Sequence, residues 1–134
     1  MSRIVITGGS GLLGLNWALA RKQFDEVYLF LHKRSLSIDG INTQFVDLQN
    51  SSEIRRVLEI IKPDLVVHTA ALTNVDLCEE FPTESKSANI DIAVNLAREA
   101  FKLNIALAHI STDHLFDGAS AKYTEDDSIH PLNT

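Results

Sequence analysis

One cysteine, Cys78, stands among 134 residues. A lone cysteine cannot form an internal disulfide, which excludes a disulfide-stapled scaffold and fits a reducing compartment. No apolar run approaches the ~18 residues that would span a bilayer. The opening MSRIVITGG has neither the longer apolar stretch nor the small-residue cleavage site of a signal peptide. The expected location is therefore cytoplasmic, with no membrane partner. No long basic run occurs either. With 12 basic against 18 acidic residues and a formal net charge of −6, nucleic acid is not an expected partner. The five histidines show no metal-ligand spacing, so no metal site is expected. There is no repeat, low-complexity tract or interdomain linker, which leaves residues 1–134 as one domain long enough to bury a core.

What the chain does contain is an alternation of two kinds of apolar segment. RIVIT (3–7), EVYLFL (26–31), TQFV (43–46), DLVVHT (64–69) and IALAHI (105–110) are short and mostly β-branched or aromatic. They are expected as strands buried on both faces. Helical patterns lie between most of them. In SSEIRRVLEIIK, Ile54, Val57, Leu58 and Ile61 fall on one stripe, with Asn50 as the expected N-cap, Glu53 three residues on, and Pro63 closing the segment. SANIDIAVNLAREAFKLN is apolar on more than one face, so a well-covered helix is expected there. The small, polar stretch DGASAKYTEDDS (117–128) is expected to be weakly ordered. Strands alternating with helices imply right-handed crossovers and an α/β fold on a parallel sheet.

The first strand runs straight into TGGSGLLG. Gly9, Gly11 and Gly14 fit G-x-G-x-x-G, and Gly8, Gly11 and Gly14 fit the wider G-x-x-G-x-x-G. Either spacing serves the same needs: a tight turn, close approach of a pyrophosphate to the backbone, and tight packing of the next helix on its strand. The helix N-terminus then offers free N–H groups to phosphates. Position at the start of the chain, between a strand and the helix pattern LLGLNWALARK, is the context that dinucleotide binding requires. A Rossmann-type sheet with strand order 3-2-1-4-5 is the expected fold. Ser10, Leu12 and Leu13 lie between the glycines and join them as cofactor-binding candidates.

The end of the second strand bears on which dinucleotide is held. An NAD site calls for a carboxylate about 20 residues past the glycines, to bind the ribose 2′-OH. His32, Lys33 and Arg34 stand there instead, and Asp39 lies farther along the loop. Cations suit a 2′-phosphate, so NADP(H) is expected over NAD(H). The alternative reading of Lys33 and Arg34 is a solvated loop.

Several motifs in order then resemble a known family: ITGGSGLLG (6–14), DL at 47–48, PDLVVHTAALTNVDLCEEFP (63–82), AN at 88–89, HISTDHLFDG (109–118) and YTEDD (123–127). The chain resembles the N-terminal part of an extended short-chain dehydrogenase/reductase and is most similar to the dTDP-4-dehydrorhamnose reductases. The resemblance implies that Asp47 and Leu48 lie beside the adenine and that Ala70 and Ala71 line the cofactor cleft. It implies that Thr112 is the catalytic hydroxyl, hydrogen-bonded to the substrate carbonyl as hydride arrives. The alternative reading of Thr112 and Asp113 is that they cap or turn the loop after the fifth strand. Asp76 and Glu79 read as structural or surface residues, His68 as a satisfied core histidine, and Cys78 as inert. The chain departs from the family at Leu72, where an aromatic residue is usual, and at His114, where a tyrosine is usual.

In this family PLN is followed almost at once by Tyr-x-x-x-Lys, whose tyrosine is the general acid. The chain stops at Thr134, and neither Tyr28 nor Tyr123 begins such a pattern. The expectation is a cofactor-binding domain incomplete at its C-terminus, from an NADP(H)-dependent reductase of a nucleotide-linked 4-keto-6-deoxysugar and inactive alone. With strand 105–110 left as an edge, a homo-oligomer is an expected partner. The alternatives are an epimerase or dehydratase of the same superfamily and a non-catalytic NADP-binding regulatory subunit. A methyltransferase would want an acid at the end of strand two, which His32, Lys33 and Arg34 do not supply.

Overall fold

β-Branched and large apolar residues at successive positions, as in Ile4, Val5 and Ile6 or Val66 and Val67, favour extended backbone and leave no polar face. The computed structural model, which describes residues 1–132, places them in a five-stranded parallel sheet of order β3-β2-β1-β4-β5. The strands are β1 Arg3–Thr7, β2 Glu26–Leu31, β3 Asn42–Phe45, β4 Leu65–His68 and β5 Ala106–His109. The expected strand order is the observed one. β1, at the centre, pairs Ile6 with Leu29 on one side and with Val67 on the other. Burial on both faces holds for β1, β2 and β4. It fails for β3 and β5, whose end residues are exposed. These two are the sheet margins, and only one neighbour pairs with each among the described residues.

Two apolar layers sandwich the sheet. One joins Val5, Phe30 and Val66 to Ile54, Val57, Leu58 and Ile61 of α2 (Ser51–Ile61) and Leu96 of α5 (Ile92–Lys102). The other joins Ile4, Ile6, Leu29 and Val67 to Ala18 of α1 (Leu12–Arg21). Asn50 caps α2 as expected, its side chain accepting from the N–H groups of Ser52 and Glu53 at 3.1 and 3.2 Å. The helix ends at Lys62 in a left-handed conformation, just before Pro63.

The third helical pattern differs from expectation at both its start and its cover. Helical backbone begins at Pro82, five residues before the Ser87 read from the sequence. It runs as α4 (Pro82–Lys86), a π-helical segment (Ser87–Asp91) and α5 without leaving right-handed dihedrals. Proline at the first helical position loses no hydrogen bond and presets φ. A short α3 (Val75–Glu80), capped by Asn74, precedes it. α5 buries Leu96, Glu99 and Ala100, but its Val94 and Phe101 are exposed, Phe101 at 86%, as is Ile90 in the π segment before it. The second apolar face is thus uncovered among the described residues.

The 117–128 stretch contains no helix or strand, yet local contacts tie it together. Tyr123 stacks on Phe116 at 4.4 Å and donates its hydroxyl to Asp117 at 2.6 Å. Thr124 N–H donates to Asp127. Composition alone could not show these pairs.

Glu99 is a buried carboxylate in this frame, 2% exposed and accepting from Arg55 Nε at 2.7 Å and Lys102 Nζ at 2.8 Å. The hydrogen bond from Arg55, then that from Lys102, holds its carboxyl below the ordinary glutamate value against the opposing effect of burial. A carboxyl lowered on folding contributes stability that is complete above the unfolded pKa and is lost as pH falls through the folded one. Glu99→Gln is therefore expected to cost about 1.5–3 kcal/mol near neutral pH, and the gap to wild type should close in acid. Urea unfolding of both proteins at neutral pH and at about pH 3 measures it. An equal gap at both values would contradict this account.

Candidate cofactor site

The carboxyl ends of β1, β2, β3 and β4 open into one cleft of about 970 Å³, at the upper end of the size of small-molecule sites. Gly8, Ser10, His32, Lys33, Asp47, Leu48, Ala70 and Ala71 all line it. Residues from four separate stretches of the sequence reading thus meet in one place. Gly9, Gly11, Leu12, Leu13, Gly14 and Arg34 do not line it. The glycines and leucines belong to the turn and the start of α1, where Leu12 is 85% and Leu13 53% exposed, and Arg34 follows Lys33 past the end of β2.

The local geometry distinguishes the two glycine spacings. Gly8 has φ +66°, and a Cβ there would meet the Ala70 backbone nitrogen at 2.8 Å and the Thr69 carbonyl carbon at 2.9 Å. The Gly8 carbonyl accepts from Gly11 N–H at 2.8 Å, and a Cβ on Gly14 would meet that same oxygen at 2.9 Å. Gly8, Gly11 and Gly14 therefore gather around one carbonyl, as the wider spacing requires. Gly9 instead packs over the Leu29 side chain. No side chain caps α1 and no acid lies in its first turn, so its N-terminal N–H groups and positive dipole end face the turn unneutralised. These features fit the pyrophosphate of a dinucleotide.

Lys33 is exposed at the cleft wall, two residues past β2, and no carboxylate occupies the end of that strand. Asp47 accepts from Gln49 N–H at 3.0 Å, which fixes the turn after β3. The far wall was not legible in the sequence. It comprises Thr83 and Glu84 of α4, Ser87 and Ala88 of the π segment, and Glu53 of α2. Gln49 Nε2 donates to Ser87 Oγ at 3.1 Å and joins the two walls. Asn89 clamps the loop after β4, its Oδ1 accepting from Leu72 N–H at 2.8 Å and its Nδ2 donating to the Leu72 carbonyl at 3.1 Å. The π segment that aims Asn89 is a local widening of the helix of the kind often found at functional sites. Phe45, at the end of β3, also lines the cleft. The rule that ligands gather at carboxyl ends of strands would have found it.

The remaining candidates lie apart from this cleft. Thr112 follows β5, is exposed, and accepts from His114 N–H at 3.2 Å. That bond is the turn geometry, and it leaves the Thr112 O–H to donate elsewhere. Asp76 and Glu79 lie on the surface of α3, and Cys78 is buried with Sγ 3.5 Å from the Leu72 carbonyl oxygen. The Tyr28 hydroxyl donates to Glu26 at 2.6 Å, which pushes its pKa up. His68 departs from the expected satisfied histidine. Its Nδ1 lies 2.7 Å from Thr7 Oγ1, but Nε2 is buried without a partner among the described residues. Burial, and then the adjacent His109, pushes it down to about 4. Among the described residues no group of three or more His, Cys, Asp or Glu could hold a metal, and no helix is long and apolar enough to cross a membrane.

The profile of the RmlD substrate binding domain matches residues 1–134. The chain belongs to the RmlD substrate binding domain family. Its similarity to dTDP-4-dehydrorhamnose reductase of Aggregatibacter actinomycetemcomitans is 32% identity over 98% of this chain and 42% of that protein. Methionine adenosyltransferase 2 subunit beta of Bos taurus is also 32% identical over 98% of this chain, and over 38% of its own length. Among solved structures, dTDP-4-dehydrorhamnose reductase of Bacillus anthracis in complex with NADP is 28% identical, with a TM-score of 0.85 over 98% of this chain and 44% of that one. The chain thus spans about two fifths of the length of the relatives it matches. The family match and these relatives bear out the short-chain dehydrogenase/reductase resemblance, and the strand order with the structural match bears out the Rossmann-type fold.

Proposed function

We propose that the chain is the cofactor-binding part of an NADP(H)-dependent reductase of a nucleotide-linked 4-keto-6-deoxysugar. The observation that carries this reading is the cleft itself: a glycine turn pressed onto Ala70 at the uncapped N-terminus of α1, with Lys33 on its wall. The NADP-bound relative from Bacillus anthracis supports it. Bound there, the cofactor would supply hydride. Gly8 and the α1 N–H groups hold the pyrophosphate, Lys33 and Arg34 the 2′-phosphate, and Asp47 and Leu48 flank the adenine. Ala70 and Ala71 keep the wall low enough for the dinucleotide to pass. Thr112 donates its hydroxyl to the substrate carbonyl oxygen. The proposed partners are a nucleotide-linked sugar and, through the side of β5 left unpaired among the described residues, a second copy of the chain. The proposed compartment is the cytoplasm.

Cofactor choice tests this. NADPH is expected to bind more tightly than NADH by the worth of a charge-assisted contact, about 1.5–3 kcal/mol. The double variant Lys33→Ala/Arg34→Ala should remove that difference. Because both side chains are exposed, the preference should also shrink in high salt. Fluorescence titration of both cofactors against wild type and variant measures it, and equal affinities in wild type would overturn the 2′-phosphate assignment.

A second reading has a specific observation behind it, the 32% identity to a protein named as a subunit of methionine adenosyltransferase. Under that reading the cleft holds NADP(H) in a non-catalytic regulatory subunit. NADPH binding without oxidation on any 4-keto nucleotide sugar, measured at the length of the relatives, would favour it. An epimerase or dehydratase reading rests on structures that are 20% identical or less, which share the fold alone.

A further inference from the structure

The buried contact between β1 and β4 fixes more than strand register. Thr7 and His68 are register partners across these strands and are 0% and 1% exposed. Thr7 Oγ1 accepts from Thr69 N–H at 3.2 Å and from Ala70 N–H at 3.3 Å. A hydroxyl has two lone pairs and one hydrogen. Both lone pairs are taken by backbone donors, so the Thr7 hydrogen must point along the remaining contact, the 2.7 Å approach to His68 Nδ1. Nδ1 is then the acceptor, and a neutral imidazole must carry its proton on Nε2.

We propose that His68 is a positioning residue for the cofactor cleft. Held neutral with its proton on Nε2, it orients the Thr7 hydroxyl so that both oxygen lone pairs hold the Thr69 and Ala70 N–H groups. The proposal rests on the cofactor reading only for its consequence, because Ala70 is the wall that a Cβ on Gly8 would strike, its nitrogen only 2.8 Å from that position. A proton on Nδ1 would make Thr7 Oγ1 the target of three donors with two lone pairs, and one backbone N–H would be released. The geometry also accounts for a side chain that is otherwise ill suited to its place. His68 Nε2 is a buried polar atom with no partner among the described residues, which an apolar residue of similar size would avoid. The ring stacks on His109 at 5.1 Å, which another flat side chain could also do, whereas the acceptor at Nδ1 uses what an imidazole provides there. The second link between the strands, Thr69 Oγ1–H to the Thr7 carbonyl at 2.7 Å, closes the same node from the other side and leaves the Thr7 hydroxyl as its adjustable member.

Two measurements test the proposal. Imidazole nitrogen NMR of the protein labelled at histidine, without cofactor, should find His68 near neutral pH as the Nε2–H tautomer with Nδ1 unprotonated. An Nδ1–H tautomer, or a doubly protonated ring, overturns it. The second compares His68→Asn, whose side-chain carbonyl can stand in for the Nδ1 acceptor, with His68→Leu, which has no acceptor. His68→Leu should weaken NADPH binding by about tenfold or more, and His68→Asn by no more than about threefold. Amide exchange at Thr69 and Ala70 should quicken in the leucine variant and stay slow in the asparagine variant. Equal loss of protection in the two variants overturns the positioning role. If wild type binds neither dinucleotide, the cofactor reading fails, while the tautomer and the amide protection still decide the role of His68. If the leucine variant does not fold, the tautomer in wild type decides it alone.

Discussion

Replacing Gly8 with alanine is expected to be the most damaging single-methyl change in the glycine turn. The added Cβ must occupy a position 2.8 to 2.9 Å from three backbone atoms of Thr69 and Ala70, none of which is a flexible side-chain end. It must also do so at φ +66°, which costs an L-residue about 1–2 kcal/mol. Overpacking adds about 1–3 kcal/mol, so a loss of about 2–5 kcal/mol in unfolding free energy is expected. Relief can come only by moving β1 and β4 apart at the cleft, so NADPH binding should fall with stability. Gly40 provides the control. Its φ is +75°, but the nearest atom to an added Cβ is Lys22 Cδ at 3.9 Å. Gly40→Ala should cost only the backbone term, on the order of 1 kcal/mol, and leave NADPH affinity unchanged. Urea unfolding and cofactor titration of the two variants give the comparison. Similar losses in both would show that the approach of Gly8 to Ala70 is not what holds the cleft.

Thr112→Ala is expected to have the largest effect on turnover. If its hydroxyl donates to the substrate oxygen, the bond strengthens as negative charge develops there. Removal should then lower kcat by about 2–4 kcal/mol of transition-state stabilisation, with little change in NADPH affinity. Thr112 does not line the cofactor cleft, and among the described residues its oxygen accepts from His114 N–H, so a cofactor-binding defect is not expected from the geometry. The measurement is NADPH oxidation on a 4-keto-6-deoxy nucleotide sugar, using the protein at the length of its relatives. Unchanged kcat would leave Thr112 with the loop turn alone.

Where one residue type has one structural use, the sequence could be read directly. The apolar runs of β1, β2 and β4 allow no face for solvent, and the stripe Ile54, Val57, Leu58 and Ile61 allows only one buried face. Asn50 could be read as a cap because its side chain competes for nearby N–H groups wherever a helix starts. Local pattern was ambiguous where the outcome depends on distant neighbours. The margins of β3 and β5 look like core strands because burial is decided by what lies alongside, not by their own residues. The apolar second face of α5, with Val94 and Phe101, gave no sign that it would be uncovered. At the site, residues tied to the glycine turn or to a strand end could be placed, as Lys33 and Ala70 were. Glu84, Ser87 and Asn89 could not, because a π-helical segment and a helix starting at Pro82 set their direction. The Thr7–His68 contact spans 61 residues and has no local signature.

The central claim is that this cleft holds a dinucleotide on the Gly8–Gly14 turn. Isothermal titration of the wild-type protein with NADPH and with NADH, followed by amide exchange with and without NADPH, tests it most directly. The account predicts saturable binding of NADPH, tighter than NADH, with slowed exchange at Gly9 through Gly14 and at Ala70 and Ala71. No binding of either dinucleotide, or binding that leaves those amides unchanged, would contradict it.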